Sequence, residues 1–356
     1  MPMKRLSNYV AAAALLAAGL SAAGAANAAE ITVMGYRGAF QENYVKAVVE
    51  PFEKANPDIK VTFFGVQNAA VSLGTMRAQK DAPQTDVVIF DLSVAKIARD
   101  EGLIAELDTG KLKSWGELGQ FGRELGGFAP PLTYDTFLLL YDRDAFKAPP
   151  KSWTALWDKT EQGKIIIPAQ GGGDIQAIAL TIVANRLAGE TDYIKTIRPG
   201  VDKLIEMAPL VQTWEPKPDA YTLVGNGTAA LAVGYNARGQ YYHDQTGGRL
   251  QTAAPAEGTV TQVNVISEIA NTPNKDAAER FIDYALGAEA QARFAEAMFY
   301  APTNTKANVS AAAQKRIPLM DAGNQASQIP VDWIRIGEIR EKMLAPWRRE
   351  IIPASR

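Results

Sequence analysis

Short apolar runs that end in turn signals alternate with longer helical patterns along this chain. Apolar residues at helical spacing predict helices over 40–56, with a kink or break at Pro51, over 174–187 and over 275–286. The short runs predict buried strands, and these lie at residues 31–34, 60–64, 86–90, 164–167 and 229–234. Strands that alternate with helices predict an α/β fold whose sheets are mostly parallel and flanked by helices.

The predicted strand ends carry residues suited to binding a small molecule, because ligands of open α/β sheets lie outside the carboxyl ends of the strands. An aromatic ring beside a guanidinium, as in Tyr36-Arg37, can clamp a ligand, and the planar fork of Arg238 suits a carboxylate or phosphonate. Each position has a structural alternative, namely an exposed arginine in a turn, a helix N-cap at Asp174 or a salt bridge at Arg238. The residues at these ends are Tyr36, Arg37, Asp91, Asp174, Tyr235 and Arg238.

The first 28 residues have the layout of a secretory signal peptide. Lys4 and Arg5 precede an apolar run over 10–20, and Ala26-Asn27-Ala28 forms a small-x-small cleavage site. The alternative, a retained anchor helix, would need about 18–20 apolar residues to span a bilayer. We therefore expect cleavage after Ala28 and a periplasmic mature protein.

Charge and length narrow the class of protein further. The chain has 37 Lys and Arg against 39 Asp and Glu, and removal of Lys4 and Arg5 leaves the mature chain near −4. No polybasic surface is expected, so the charge disfavours nucleic acid and anionic membranes as partners. The remaining residues, about 328 of 356, are too many for one small core and predict two lobes.

The scarcity of chemically versatile side chains disfavours enzymatic function. The chain has no cysteine, and its one histidine, His243, lies in the polar stretch QYYHDQTGG without a GxSxG or HExxH motif. An exported hydrolase would need an elbow serine or a carboxylate pair that the sequence does not present. The adjacent Tyr241 and Tyr242 could bind ferric iron, or could be two partly buried tyrosines on a helix. No cofactor is predicted.

Several segments together resemble the periplasmic solute-binding proteins of ABC importers. The first lobe of that family is similar to FQENYVKAVVEPFEKANPDIKV, TDVVIFDLSVAKIARDEGLIAELD and PLTYDTFLLLYDRD. The later part is similar to GNGTAALAVGYNARGQ, a long segment from APAEGTV to QARFAE, and YAPTNT. The spermidine/putrescine-binding type and its relatives that take γ-aminobutyrate-like compounds match this order best. The resemblance covers nearly the whole mature chain.

The resemblance implies two α/β lobes joined by a hinge, with the ligand captured between them. Lobe one is expected over 29–138 plus 265–315. Lobe two is expected over 139–264 plus 316–356. The resemblance also implies a monomer that binds a small-molecule ligand, delivers it to a membrane-embedded ABC permease and does no bond chemistry.

Site residues carry over from this resemblance by position. Thr133 and Tyr134 lie at the first crossover between lobes, Tyr235 takes the place of a usual tryptophan, and Arg238 follows the pattern of carboxylate-binding members. Asn264 stands where polyamine binders have an acidic residue, so the carboxylate that pairs with a ligand ammonium is lost. The expected ligand-binding residues are Tyr36, Arg37, Asp91, Tyr134, Asp174, Tyr235, Arg238 and Asn264.

The resemblance therefore implies a zwitterionic or anionic solute, such as an ω-amino acid. A polyamine-binding protein and a ferric-iron carrier that uses the tyrosine pair are the alternatives. In ferric-binding relatives the tyrosines follow the strand directly, whereas Tyr241 and Tyr242 come about one turn later.

Overall fold

A computed structural model of the protein describes residues 28–161 and 163–355. Residues 1–27, which hold nearly all of the predicted signal peptide, lie outside it. Across the two described ranges, no helix is long and apolar enough to cross a membrane.

Eleven strands of the described residues form one sheet with the order β2-β1-β3-β9-β4-β7-β5-β6. The short strands β8 and β10 pair with β4, and β11 pairs with β9. The strands are β1 (Ala29–Tyr36), β2 (Ile59–Val66), β3 (Val87–Asp91), β4 (Pro131–Asp142), β5 (Ile165–Ile166), β6 (Val211–Thr213), β7 (Leu231–Tyr235), β8 (Leu250–Ala253), β9 (Thr259–Glu268), β10 (Ala301–Pro302) and β11 (Gln328–Ile329).

Helices cover the sheet and connect its strands. They are α1 (Ala39–Tyr44), α2 (Glu50–Ala55), α3 (Ala69–Ala78), α4 (Leu92–Asp100), α5 (Gln120–Glu124), α6 (Asp174–Leu187), α7 (Arg198–Met207), α8 (Ala220–Gly225), α9 (Asn236–Gln245), α10 (Lys275–Leu286), α11 (Ala288–Met298), α12 (Ala311–Gln314), α13 (Ala322–Ala326) and α14 (Trp333–Pro346). A π-helical turn, Val45–Val49, joins α1 to α2, and Pro51 lies in the first turn of α2. The predicted helix over 40–56 thus changes its winding just before its proline, where a missing N–H costs least.

Parallel pairing dominates both ends of the sheet, as the alternation of strands and helices predicts. β1 pairs in parallel with β2 and β3, and β5 pairs in parallel with β6 and β7. All five residues of β3 and of β7 are buried, which is typical of strands covered by helices on both faces. The predicted α/β fold is confirmed.

Two long antiparallel strands, β4 and β9, occupy the middle of the sheet and join its two ends. The second half of β9 pairs with β3 over Asn264–Glu268, whereas β4 pairs with β7 from Phe137 onward. β4 and β9 also pair with each other. β9 therefore borders the first parallel region and β4 borders the second, and their pairing with each other joins the two regions.

The C-terminal helix α14 packs on both halves of the molecule. A Cβ added at Gly337 would lie 2.6 Å from the Ser93 carbonyl oxygen of α4, so the two helices approach closely. Beyond the helix, the buried Trp347 donates its Nε1–H to Thr181 Oγ1 of α6 at 2.9 Å and packs edge-on against Trp214. The tail thus ties α4 of the first half to α6 of the second.

Candidate functional site

A cavity of about 430 Å³ opens where the carboxyl ends of the strands of the two halves face each other. The first half contributes the β1 and β2 ends, and the second contributes the glycine loop before α6, the start of α8 and the first turn of α9. Gln67 Nε2 donates to the Gly171 carbonyl oxygen at 2.5 Å and joins the two halves across the cavity. The lining of the cavity includes Arg37, Gln67, Gly171, Gly172, Gly173, Gln176, Glu215, Asp219, Tyr221, Arg238 and Tyr242.

Tyr36, Asn264 and Thr133 form a hydrogen-bonded row across the strands that join the halves. Tyr36 Oη donates to Asn264 Oδ1 at 3.2 Å, and Asn264 Nδ2 donates to Thr133 Oγ1 at 3.0 Å. Gln262 Nε2 also donates to Asn264 Oδ1 at 3.1 Å. The predicted neighbours Tyr36 and Asn264 are therefore brought together, and Asn264 supplies dipoles without a charge.

Asp91 ends β3 directly beside Asn264 and is almost fully buried. Its Oδ1 accepts from the Val94 N–H at 3.1 Å and from Ser93 Oγ at 2.5 Å, so it serves as the N-cap of α4. The predicted site residue Asp91 thus lies beside Asn264 but not on the cavity lining, and its carboxylate is already engaged by protein donors.

Arg340 of α14 reaches between Asp91 and Asp174. Its Nη1 donates to Ser93 Oγ at 2.9 Å and lies 4.0 Å from Asp91 Oδ1, while its Nη2 donates to Asp174 Oδ2 at 3.4 Å. Asp174 is the first residue of α6 and follows Gly173, which is the N-cap. Asp174 is therefore an ion-pair partner of an arginine that also reaches the first half, and it is not the N-cap that the sequence offered as an alternative.

Arg238 lies in the first turn of α9, lines the cavity and is partly buried. It forms no hydrogen bond or ion pair with any residue in 28–161 or 163–355, so the salt bridge considered as an alternative does not form there. Burial lowers the pKa of its guanidinium, but the nearby Tyr300, Tyr221, Tyr242 and Asp219 raise the pKa above the ordinary value. Arg238 is therefore a permanent cation that faces a cavity, and no residue in the two described ranges engages its guanidinium.

Tyr235 ends β7 within the protein core and is not among the residues that line the cavity. The Tyr235 side chain is buried, and its Oη has no hydrogen-bond partner among the described residues. Burial and the nearby Asp135, Tyr221 and Asp91 raise its pKa well above the ordinary value, so the hydroxyl stays a proton donor. Gln176 Oε1 on the cavity lining also lacks a partner within the described part of the chain. Buried groups of this kind are normally satisfied, and a ligand could supply what they lack.

Asp135 of β4 holds the start of α9 in place and was not anticipated from the sequence. Its Oδ1 accepts from the N–H groups of Ala237 at 3.1 Å and Thr136 at 2.8 Å. Burial raises its pKa to about 7, although these donors and Arg238 lower it. Asp135 therefore positions the turn that carries Arg238.

Two predicted site residues lie away from this centre. Arg37 is exposed at the rim of the cavity. Tyr134 lines a different, largely apolar cavity of about 620 Å³ with Val263 and Trp333, where burial raises its pKa to about 12. The structure thus does not bring Tyr134 together with Tyr36, Tyr235 and Arg238.

The residues considered for metal or hydrolytic chemistry have structural roles. His243 lies on α9 outside the cavity lining, and its Nδ1 is 3.0 Å from the carbonyl oxygen of Leu250 in β8. Tyr242 stacks on Tyr221, with ring centroids 5.5 Å apart, whereas Tyr241 packs against the core of the first half. Among the residues that the structure describes, no group of three or more His, Asp or Glu is placed to hold a metal ion.

Comparison with known proteins gives a consistent picture. Residues 47–320 match the family model described as bacterial extracellular solute-binding protein. The gamma-aminobutyric acid-binding protein of Pseudomonas aeruginosa is 24% identical over 343 residues, covering 92% of this chain and 93% of that protein. The spermidine/putrescine-binding periplasmic protein of Salmonella typhimurium is 25% identical over 313 residues, covering 86% of each chain.

The fold is shared with solved structures. An ABC transporter substrate-binding protein from Bradyrhizobium japonicum superposes with a TM-score of 0.77 at 20% identity, covering 90% of this chain and all of that one. This likeness extends over both halves of the sheet and confirms the predicted two-lobed arrangement.

Proposed function

Because this chain belongs to the bacterial extracellular solute-binding proteins, we propose that it captures a small solute bearing an anionic group and delivers it to a membrane-embedded ABC permease. One observation carries the choice of ligand: Arg238 faces the cavity with no hydrogen bond or ion pair within the described residues. A guanidinium in a partly dehydrated cleft binds a carboxylate or phosphonate with two parallel hydrogen bonds.

The electrostatics of the opposite side of the cleft favour a zwitterion. Asp91 and Asp174 share Arg340, and their two formal negative charges exceed its single positive charge by one. An ω-amino acid would place its carboxylate at Arg238 and its ammonium near this pair. The name of the Pseudomonas aeruginosa relative, a gamma-aminobutyric acid-binding protein, supports this class. The polyamine-binding relatives keep the alternative open.

We assign the ligand contacts to the cleft residues that have donors or charge to offer. Arg238 would bind the anion, Tyr235 would donate its free hydroxyl, and Tyr36 and Asn264 would line the floor between the lobes. Asp91 and Asp174 act at the ammonium end, Arg37 acts at the rim, and Tyr134 supports the hinge strand from its other face.

Closure of the two lobes would complete the site. We place lobe one at 29–138 plus 265–315 and lobe two at 139–264 plus 316–356, with the hinge in β4 and β9, where the pairing of each strand changes. Contacts from both lobes exist only when closed, so the ligand stabilises that state. Small-angle scattering of the monomer should show a smaller radius of gyration at saturating ligand, and an unchanged radius would contradict closure.

Export follows from the same assignment. The protein would be periplasmic and would act by binding alone, with its signal peptide removed after Ala28. Intact-mass measurement of the secreted protein tests this, and a mature chain that still begins at Met1 would contradict it. Elemental analysis that finds stoichiometric iron would instead support the ferric alternative.

Isothermal titration calorimetry tests the ligand class directly. The probes are γ-aminobutyrate as zwitterion, butyrate as anion, and putrescine and spermidine as polycations. We expect γ-aminobutyrate to bind most tightly, butyrate to bind measurably and both polyamines to bind far more weakly. Tight spermidine binding without measurable binding of either carboxylate would return the protein to the polyamine class.

A further inference from the structure

We propose that Arg340 is an internal counter-ion that sets the charge specificity of the cleft by occupying the carboxylates that a polycation would need. This inference rests on the proposed function and deepens it. Arg340 lies within α14 and not at a strand end, and it acts on ligand choice through Asp91 and Asp174.

The contacts place the guanidinium between the two lobes. Nη1 donates to Ser93 Oγ at 2.9 Å, and Ser93 Oγ in turn donates to Asp91 Oδ1. Nη2 donates to Asp174 Oδ2 at 3.4 Å. One arginine therefore joins the carboxyl end of β3 in lobe one to the start of α6 in lobe two, which is where a bound ligand ammonium would bridge the same carboxylates.

Burial makes this pairing obligatory. The Arg340 side chain is 13% exposed and that of Asp91 is 5% exposed, whereas Asp174 is 38% exposed. A buried carboxylate without a cation is strongly destabilising, so without Arg340 the cleft would depend on a ligand cation. With Arg340 present, the pair keeps one net formal negative charge, which suffices for one ammonium but not for two.

The second guanidinium completes the discrimination. Tyr36 lies within the electrostatic influence of Asp91, Arg238 and Arg340, so the cation at Arg238 belongs to the same cleft. A diamine that placed one ammonium near Asp174 would bring its other ammonium toward Arg238, where like charges repel. An ω-amino acid brings its carboxylate there instead.

The backbone fixes the Arg340 head group where it is needed. Gly337, one turn before Arg340, lets α14 approach α4 closely, and Trp347 anchors the following turn to Thr181. The guanidinium is therefore held between the lobes from both ends of the helix.

Calorimetry with putrescine and γ-aminobutyrate tests the inference on Arg340→Gln. We expect its affinity for putrescine relative to γ-aminobutyrate to rise by about tenfold or more, because the freed carboxylates accept an ammonium. Arg340→Lys should keep most of the discrimination, since it retains the charge. Arg335→Gln, an exposed arginine of the same helix that pairs with Glu338, is the matched control and should keep the wild-type ratio. Adding Asp174→Asn to Arg340→Gln should remove the gain.

An unchanged ratio in folded Arg340→Gln would overturn the inference, as would tight putrescine binding by the wild-type protein. If Arg340→Gln does not fold, Asp174→Asn tests the inference in its place, because it removes the one net negative charge that Asp91 and Asp174 keep beside Arg340. Its affinity for γ-aminobutyrate relative to butyrate should fall about tenfold, and an unchanged ratio would overturn the inference. Failure of the wild-type protein to bind either carboxylate would refute the proposed function instead, and the two failures are thereby distinguished.

Discussion

The two arginines of the cleft, Arg238 and Arg340, have the same side chain but opposite circumstances. Arg340 comes from the C-terminal helix and is engaged by Ser93, Asp91 and Asp174. Arg238 comes from the first turn of α9 and has no such partner in the described residues. The protein partners of a cation therefore decide its role: Arg340 holds the protein together, whereas Arg238 remains available to a ligand.

The largest expected effect comes from removing the available arginine. Arg238→Ala should lower the affinity for γ-aminobutyrate by roughly 30- to several-thousand-fold, or about 2–5 kcal/mol, because the ligand carboxylate would be left unpaired in the cleft. Calorimetry measures this change, with thermal unfolding as the check on folding.

Conservative replacement sharpens the test. Arg238→Lys should recover only part of the affinity, since an ammonium cannot reproduce the planar fork. The exposed Arg335→Gln should leave binding as in the wild type. Equal binding by wild type and Arg238→Ala would break the distinction between the two arginines.

The acid that positions Arg238 should govern part of the pH dependence of stability. Burial raises the pKa of Asp135 from 3.8 to about 7, so the folded protein binds this proton more tightly than the unfolded chain does. The free energy of unfolding should therefore fall as pH rises from about 4 to about 7, by on the order of 3 kcal/mol from this group. Asp135→Asn, which keeps the acceptor oxygen, should flatten that decline in urea unfolding measured at several pH values.

Glu268 offers a matched control at the far end of β9. Burial also raises its pKa to about 7, with Lys275 Nζ 3.9 Å away, but it lies outside the cleft lining. Glu268→Gln should reduce the fall in the free energy of unfolding with rising pH and leave ligand affinity unchanged. Asp135→Asn should change both the pH dependence of stability and the ligand affinity. If the pH dependence of stability matches the wild type in both variants, their raised pKa values are wrong.

The smallest effect is expected at the unused hydroxyl. Tyr235→Phe should lower ligand affinity by about tenfold while changing the free energy of unfolding by less than about 1 kcal/mol, because the hydroxyl has no partner to lose among the residues that the structure describes. Calorimetry and urea unfolding on the same preparation measure the two effects. A large loss of stability with unchanged binding would mean that the hydroxyl serves the fold.

Much of the fold could be predicted from the chain, because buried parallel strands are short apolar runs with clear ends. All five predicted strands occur, and the predicted helices over 174–187 and 275–286 coincide with α6 and α10. The strands β4 and β9 lie within segments that resemble the family and were not predicted from the apolar pattern. β9 buries the polar residues Gln262, Asn264 and Ser267 on a strand of which Thr261 alone is half-buried, so no continuous apolar run marks it.

The site was predicted only where strand ends reveal it. Tyr36, Asp91 and Tyr235 end strands and Arg238 follows one; the four influence one another electrostatically, but of these four Arg238 alone lines the cavity. Arg340 and Asp135 could not be found in this way, because one depends on how α14 crosses α4 and the other is one acid within a long strand. Tyr134 could not be assigned a face without the register of β4, in which neighbouring side chains point to opposite sides.

The position of β9 in the sheet has a consequence for how the chain is made. β9 separates β3 from β4 in the sheet order, yet β3 ends at Asp91 and β9 begins at Thr259. A ribosome that adds about 5–20 residues per second needs on the order of ten seconds to cover that interval. During this time β3 lacks the strand that separates it from β4. The nascent polypeptide therefore cannot complete its sheet until β9 has been synthesised.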